Sequence, residues 1–139
     1  MSARNLGSQI AGSGHNLVYG GGNVGLMGAV ADTVLEGGGK VIGVIPRHLA
    51  DKEIAHPGLS GLHIVDSMHA RKERMADLAD AFVALPGGTG TLAEIIEVFV
   101  WLQLGLPQKP CALLNVNHYY DSLAVFLDHM TQSRSLEPT

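Results

Sequence analysis

Residues 85–94 read Leu85-Pro86-Gly87-Gly88-Thr89-Gly90-Thr91-Leu92-Ala93-Glu94, a glycine-rich turn between an apolar run and an amphipathic helical pattern. The apolar run, Ala81 to Leu85, predicts a strand, so the turn is expected to open the helix that follows. Backbone amides at the start of a helix have no acceptor within it and, together with the helix dipole, attract phosphate. Glu94 adds a carboxylate one turn into the helix. The stretch therefore predicts chemistry on a phosphorylated small molecule.

Short apolar runs alternate with helical patterns along the chain. This alternation predicts an α/β fold with a doubly wound parallel sheet covered by helices on both faces. Strands are expected at Leu17–Tyr19, Val41–Ile45, Leu62–Val65, Ala81–Leu85 and Cys111–Leu114. Helices are expected at Arg4–Ala11, Gly25–Glu36, Met68–Ala79 with Ser67 as N-cap, Thr91–Leu104 and Tyr119–Met130, with a polar loop from Arg47 to Gly61.

The start of the chain departs from this alternation. A helical pattern, Arg4 to Ala11, precedes the strand at Leu17, although in a doubly wound sheet such a helix normally follows an earlier, central strand. Without that strand, two neighbouring strands would have unpaired edges. We therefore expect one nucleotide-binding α/β domain over residues 1–139 that lacks its first strand and is incomplete at both ends.

Composition restricts the class of protein. A chain of 139 residues is long enough for one domain with a core, and no apolar run is long enough to span a membrane. The net charge of −4 and the pI of about 5.9 argue against a nucleic-acid partner. The single cysteine, Cys111, lies in an apolar run, and the first residues do not resemble a signal peptide. We expect a cytoplasmic location and no membrane partner.

A second glycine-rich turn follows the strand at Leu17–Tyr19. Gly20, Gly22 and Gly25 have the G-x-G-x-x-G spacing of dinucleotide-binding proteins. The acidic residue that should follow the next strand is missing, because that strand ends in Pro46 and Arg47, and Arg47 is a weak indication of a 2′-phosphate. Close backbone packing, or contact with a ligand other than a dinucleotide, is therefore favoured over NAD or NADP binding.

Two further patterns could serve either ligand binding or only the stability of the fold. Thr91 and Glu94 have the spacing of a capping box, in which Glu94 would only bond back to the helix start. Arg71 and Lys72 stand in the first turns of a helix, where the dipole disfavours cations, so an anionic ligand is indicated. The alternative for this pair is ion pairing with Asp66 or Asp77. Both helices begin at carboxyl ends of predicted strands, where ligands bind in such sheets.

These motifs together resemble the LOG family of cytokinin-activating phosphoribohydrolases, which are often labelled lysine decarboxylases. The family patterns P-G-G-x-G-T-x-x-E and M-x-x-R-K stand at Pro86–Glu94 and Met68–Lys72. The resemblance extends over nearly the whole chain, at Leu17–Gly22, Gly25–Asp32, Val41–Pro46, Trp101–Gly105, Lys109–Pro110 and Tyr119–Asp121.

The resemblance implies a Rossmann-like fold and hydrolysis of the N-glycosidic bond of adenine-type nucleoside 5′-monophosphates to free base and ribose 5-phosphate. It implies a homodimer or larger homo-oligomer and no metal or organic cofactor. The implied catalytic residues are Arg71 and Glu94. The implied substrate-binding residues are Glu53, Met68, Lys72, Gly87, Gly88, Thr89, Gly90 and Thr91.

Two other functions remain open. Molybdenum-cofactor carrier proteins have a similar fold and glycine-rich turn, so a non-catalytic nucleotide or molybdenum-cofactor binding protein is the alternative. A carrier does not need Arg71, Lys72 and Glu94 together, which favours the hydrolase. An amino-acid decarboxylase would need a lysine for a pyridoxal Schiff base, and no sequence pattern singles one out.

Overall fold

The computed structural model describes residues 3–21, 25–50, 56–104 and 109–133. The chain divides into two compact units, Met1–Ala79 and Asp80–Thr139, and each is described by itself. Glu53 and Gly22 lie outside the described residues. No helix in the described ranges is both long and apolar enough to cross a membrane.

The first unit contains a three-stranded parallel sheet in the order β1-β2-β3. The register places Leu17 opposite Val41 and Gly43 opposite Leu62. The strands are β1 (Leu17–Tyr19), β2 (Val41–Pro46) and β3 (Gly61–Val65). The helices are α1 (Ala3–Gly12), α2 (Gly25–Glu36), α3 (Arg47–Ala50) and α4 (Met68–Leu78).

The core of this unit lies around the central strand β2. Five of the six β2 residues are buried, as expected for a parallel strand covered on both faces. The side of α2 that is buried supplies Val30, Ala31 and Val34. Helix α4 packs on β1 and β2, which brings its first turns close to the turn after β1.

The second unit is a β-α-β segment followed by a helix. Strands β4 (Phe82–Ala84) and β5 (Cys111–Leu113) pair in parallel and are joined through α5 (Thr89–Gln103). A short 3-10 turn, Val116–His118, precedes α6 (Asp121–Gln132). Among the described residues of this unit, Ile95 and Tyr120 are the buried apolar ones.

The structure confirms the α/β class with parallel strands, and α2 has its predicted bounds. Most other bounds agree within one residue, and three element predictions differ by more. The expected loop after β2 begins with the short helix α3, and α5 begins two residues before Thr91. Helix α6 begins at Asp121 because Asn117 and His118 have positive φ angles, of 52° and 62°, that interrupt helical geometry.

Candidate functional site

The turn after β4 presents a row of backbone amides. The Leu92 amide donates to the Gly88 carbonyl at 3.1 Å, the first helical bond of α5. The amides of residues 88–91 therefore precede the first carbonyl that the helix could offer them. No acidic residue stands in the first turn to neutralise this end of the helix dipole. Such an arrangement is typical of turns that bind anions.

The glycines of this turn have two different reasons to lack a side chain. A Cβ on Gly87 would lie 2.3 Å from Oγ1 of Thr91, so Gly87 makes room for that threonine. Apart from the adjacent residues and the backbone of α5 itself, no described atom lies within 4 Å of a Cβ built on Gly88 or Gly90. The protein itself therefore leaves the space at Gly88 and Gly90 open to a ligand.

Thr91 is the third residue of α5, so it is not the N-cap that a capping box requires. The capping-box alternative for Thr91 and Glu94 was therefore wrong. Glu94 is exposed and lies one turn beyond the glycine-rich turn on the same helix. A carboxylate in this position can act on a molecule whose phosphate is held by the preceding amides.

Two tyrosines that the sequence analysis gave no role hold the carbonyl side of the same turn. The Tyr119 hydroxyl donates to the Gly87 carbonyl, and the Tyr120 hydroxyl donates to the Leu85 carbonyl. Burial, and then the neighbouring Tyr119, raise the pKa of Tyr120. Two adjacent tyrosines after β5 could have marked this contact in the sequence, but the sequence does not indicate which carbonyls the hydroxyls would contact.

In the first unit, Arg71 reaches from α4 to the turn after β1. Its Nη2 donates to the Gly20 carbonyl at 2.9 Å, and Nη1 approaches the Met68 sulfur at 3.7 Å. Within the described part of the chain, Arg71 Nε is buried without a hydrogen-bond partner. As predicted, Ser67 caps α4, since its hydroxyl accepts from the Ala70 amide at 3.0 Å.

The alternative for Arg71, an ion pair with Asp66, does not form, because Asp66 is paired with Arg47. The Asp66 carboxylate lies 3.7 Å from Nε of Arg47, and both side chains are exposed. Arg47 thus contacts an acid of its own unit. Arg71 instead contacts a backbone carbonyl and a thioether, which do not neutralise its charge.

At Gly20 and Gly21, the turn after β1 is packed by the protein itself. A Cβ on Gly20 would lie 1.9 Å from Nη2 of Arg71, and one on Gly21 would lie 2.7 Å from Cγ1 of Ile45. Gly21 also has a φ of +84°, which favours glycine. For these two glycines the structure supports close packing, the reading favoured over NAD or NADP binding.

A buried histidine, which the sequence analysis missed, ties the same turn to α2. The His56 amide donates to the Gly21 carbonyl at 3.0 Å, and the His56 ring lies against the Asp32 carboxylate. The Gly58 amide donates to Nδ1 at 3.0 Å, so the ring proton is on Nε2, facing Asp32. Burial, and then Asp32, raise the pKa of Tyr19 to about 12. No metal-ligand or catalytic spacing marked this cluster in the sequence.

The predicted site residues fall into two sets. Met68, Arg71 and Lys72 lie on α4 of the first unit, where Met68 is exposed and the other two are half-buried. The second unit carries Gly87, Gly88, Thr89, Gly90, Thr91 and Glu94. That both sets act on one bound molecule stays a prediction.

Comparison with known proteins gives consistent family matches. A family model described as possible lysine decarboxylase matches residues 27–139. A cytokinin riboside 5′-monophosphate phosphoribohydrolase of Rhodococcoides fascians is 50% identical over 98% of the chain and 69% of that protein. One of Arabidopsis thaliana is 46% identical over 99% of the chain and 65% of that protein. The chain thus spans about two thirds of the length of these curated relatives.

Solved structures of similar fold have lower sequence identity. A molybdenum cofactor binding protein of Rippkaea orientalis has a TM-score of 0.73 at 26% identity, over 92% of the chain and 74% of that protein. The molybdenum cofactor carrier protein of Chlamydomonas reinhardtii has a TM-score of 0.70 at 28% identity, over 91% of the chain and 73% of that protein. The family match and the curated relatives agree, and the chain belongs to the possible lysine decarboxylase family together with the cytokinin riboside 5′-monophosphate phosphoribohydrolases.

Proposed function

We propose that this protein hydrolyses the N-glycosidic bond of adenine-type nucleoside 5′-monophosphates, either cytokinin riboside 5′-monophosphates or AMP. The observation that carries the proposal is 50% identity, over 98% of the chain, to a relative named for this activity. The open anion-binding turn supports it independently, because the substrate class carries a 5′-phosphate. The alternative, a molybdenum-cofactor binder, is supported by structural neighbours of only 26 and 28% identity.

In the proposed complex the amides of residues 88–91 hold the 5′-phosphate, and the Thr89 and Thr91 hydroxyls assist. Four amides ahead of the first helical bond, with open space at Gly88 and Gly90, suit a phosphate group. Lys72, Met68 and Glu53 complete the proposed set of substrate contacts.

The reaction consumes one water molecule. Water attacks C1′ of the ribose as the bond between C1′ and the base nitrogen breaks, and the electron pair of that bond leaves with the base. One water proton ends on the base, and the hydroxyl remains on ribose 5-phosphate. Positive charge develops on the ribose ring, as in other glycosidic hydrolyses. Glu94 stabilises that charge or activates the water.

We propose that Arg71 acts on the same bound nucleotide as Glu94 and fixes its ribose or phosphate oxygens. The Gly20 carbonyl occupies Nη2 of Arg71 and so limits rotation of the guanidinium. The positive charge remains available to an anion, since a carbonyl and a thioether do not neutralise it.

The direct test is chromatographic detection of adenine or isopentenyladenine released from the monophosphates. Glu94→Gln keeps the side-chain size and removes the charge, so kcat should fall by about 10²–10⁴ while nucleotide affinity changes little. Glu97→Gln, one turn further along α5, is the matched control and should retain activity. Near-normal turnover of Glu94→Gln contradicts the proposed role, and binding without base release by the wild-type protein favours the carrier function.

We also propose a homodimer or a larger homo-oligomer. Apolar residues at four-residue spacing, each at least 41% exposed, lie along α5 and at the residue just after its end: Leu92, Ile96, Val100 and Leu104. Such a row on one helix face is typical of a covered interface. Light scattering of the purified protein should give at least twice the chain mass, and Ile96→Glu should lower that mass. A wild-type monomer at micromolar concentration contradicts the proposal.

A cytoplasmic location completes the proposal. It rests on the composition: a single cysteine, half-buried on β5, gives the chain no disulfide to form within itself. Burial raises the pKa of that thiol, so it is a weak nucleophile. Activity recovered in the cytoplasmic fraction of the source cells is the expected result, and recovery outside it contradicts the location.

A further inference from the structure

Tyr119 and Tyr120 both donate hydrogen bonds from their hydroxyls to backbone carbonyls at the glycine-rich turn, but the two carbonyls belong to different peptide units. Tyr119 donates to Gly87, inside the turn, and Tyr120 donates to Leu85, just before it. The two rings meet edge to face, with centroids 5.0 Å apart and an interplanar angle of 88°. They therefore pack against each other on the carbonyl side of the turn.

The Tyr119 bond fixes the direction of an amide. A trans peptide is planar, and its C=O and N–H point in opposite directions. The carbonyl of Gly87 and the amide of Gly88 belong to one such unit, so a carbonyl held toward Tyr119 turns the Gly88 N–H away from it. Gly88 is one of the four residues whose amides precede the first bond of α5.

Tyr120 lacks this effect. The residue after Leu85 is Pro86, which has no N–H. The bond from Tyr120 to Leu85 can therefore stabilise the turn, but it orients no donor. The chain thus contains two neighbouring tyrosine–carbonyl bonds, of which one can aim an amide at an anion.

The position of Tyr119 is itself set by the backbone before α6. The Tyr119 amide donates to Val116 at 3.0 Å, and the Asn115 side chain accepts from the Tyr120 amide at 2.7 Å. Asn115 also donates to Asp121 at 2.6 Å. These bonds fix the backbone of the tyrosine pair just before α6, so they restrict where the Tyr119 hydroxyl can lie although its side chain is half exposed.

We propose that Tyr119 is a positioning residue for the phosphate of the substrate, acting through the Gly87–Gly88 peptide, an inference that rests on the proposed function. Its hydroxyl keeps the Gly87 carbonyl away from the bound anion and the Gly88 amide directed toward it. Without the hydroxyl the peptide can rotate, and a carbonyl oxygen facing phosphate would repel it. Tyr119 thereby sets affinity for the phosphorylated part of the substrate, whichever base that substrate carries.

The test compares Tyr119→Phe with Tyr120→Phe, which each remove one hydroxyl. Ribose 5-phosphate is titrated into each protein by calorimetry, which requires no turnover. Tyr119→Phe should bind it about tenfold more weakly, the effect of losing one well-aimed hydrogen bond to a charged group. Tyr120→Phe should lower the melting temperature and leave the affinity within about twofold of wild type, an effect of fold stability alone.

A second measurement reports the amide directly. Addition of inorganic phosphate should shift the Gly88 amide proton in the nuclear magnetic resonance spectra of the wild type and Tyr120→Phe, and shift it less in Tyr119→Phe. Equal affinity of Tyr119→Phe and wild type, or equal losses in both variants, overturns the inference. A wild-type protein that binds no ribose 5-phosphate overturns the proposed function, and this inference with it.

Discussion

The two glycine-rich turns of this protein look alike in sequence and differ in what surrounds them. Each follows a parallel strand and precedes a helix, the first after β1 and the second after β4. A side chain at Gly20 or Gly21 would overlap Arg71 or Ile45. In the second turn, apart from adjacent residues and the backbone of α5, Gly88 and Gly90 have no described atom within 4 Å of an added Cβ. Gly20 and Gly21 make room for other side chains of the protein, whereas Gly88 and Gly90 leave space that a ligand can occupy.

The difference shows that a glycine-rich pattern indicates a backbone that another group can approach closely, but it does not indicate whether that group is a side chain of the protein or a ligand. In the first turn an arginine guanidinium lies where the Gly20 side chain would be, so glycine there positions a candidate catalytic group. In the second turn the amides of residues 88–91 precede the first helical bond, and the approaching group is the proposed phosphate. A substitution of the same kind should therefore have different consequences in the two turns.

The largest expected effect is in the first turn. Gly20→Ala should displace the Arg71 guanidinium, because the new methyl group would stand 1.9 Å from its Nη2. We expect kcat/KM to fall by about 10²-fold, the range for losing a charged transition-state contact. Gly12→Ala, at the end of α1 where the described residues leave the space free, is the control and should keep full activity.

The mechanism of that loss can be tested by a double-mutant cycle. If Gly20 acts through Arg71, then Gly20→Ala should lower kcat/KM no further in an Arg71→Ala background. Additive losses would show that the two turns do not differ in the way described, since Gly20 would then act without Arg71.

A smaller effect is expected in the second turn. Gly88→Ala and Gly90→Ala should fold normally, and Gly90→Ala should even stabilise α5 by about 0.5–1 kcal/mol, since alanine favours helix. Ribose 5-phosphate affinity should fall about tenfold, because the methyl group enters the space left for the ligand. Urea unfolding and calorimetric titration measure the two quantities. A large loss of stability without a loss of affinity would make this turn resemble the first.

The smallest effect concerns the packing beside the first turn. Tyr19 precedes Gly20 and keeps its proton to about pH 12 in the folded state, whereas an ordinary tyrosine ionises at about 10. Between these values the unfolded chain releases a proton that the folded chain retains, so stability should fall as the pH rises from 10 toward 12. The free energy of unfolding, measured in urea at pH 9 and 11, should show the decrease.

Tyr19→Phe tests the assignment of that decrease. The variant should lose less stability between pH 9 and 11 than the wild type does. Some decrease should remain, because burial also raises the pKa of Tyr120 and of Cys111. An unchanged slope in Tyr19→Phe would mean that the buried phenol beside the first turn does not govern alkaline stability.

Local signals in the sequence were sufficient for the α/β class and for several element boundaries. Apolar periodicity gave the bounds of α2, and Ser67 as N-cap placed the start of α4, because both depend on neighbouring residues. Helix α5 starts earlier than predicted because Thr91 matched a capping pattern while the backbone already turns at Gly88. Short-range patterns thus located the elements within a few residues.

The contacts that define the site were not predictable in the same way. Arg71 and Gly20 are 51 positions apart, Tyr119 and Gly87 are 32 apart, and His56 and Asp32 are 24 apart. Residue type indicated that Arg71 would meet an anion, but its partner within the protein is a carbonyl. Such pairings depend on how strands and helices pack, which single-sequence patterns do not encode.

The uncompensated start of α5 has a practical consequence for the handling of this protein. With no carboxylate in its first turn, the helix should take up sulfate or inorganic phosphate from buffers, and each bound ion stabilises the folded state by mass action. Melting temperatures will then depend on buffer choice. On the proposed function, activity measured in phosphate buffer should be lower than in a buffer without phosphate, because the ion would compete with the nucleotide for this turn.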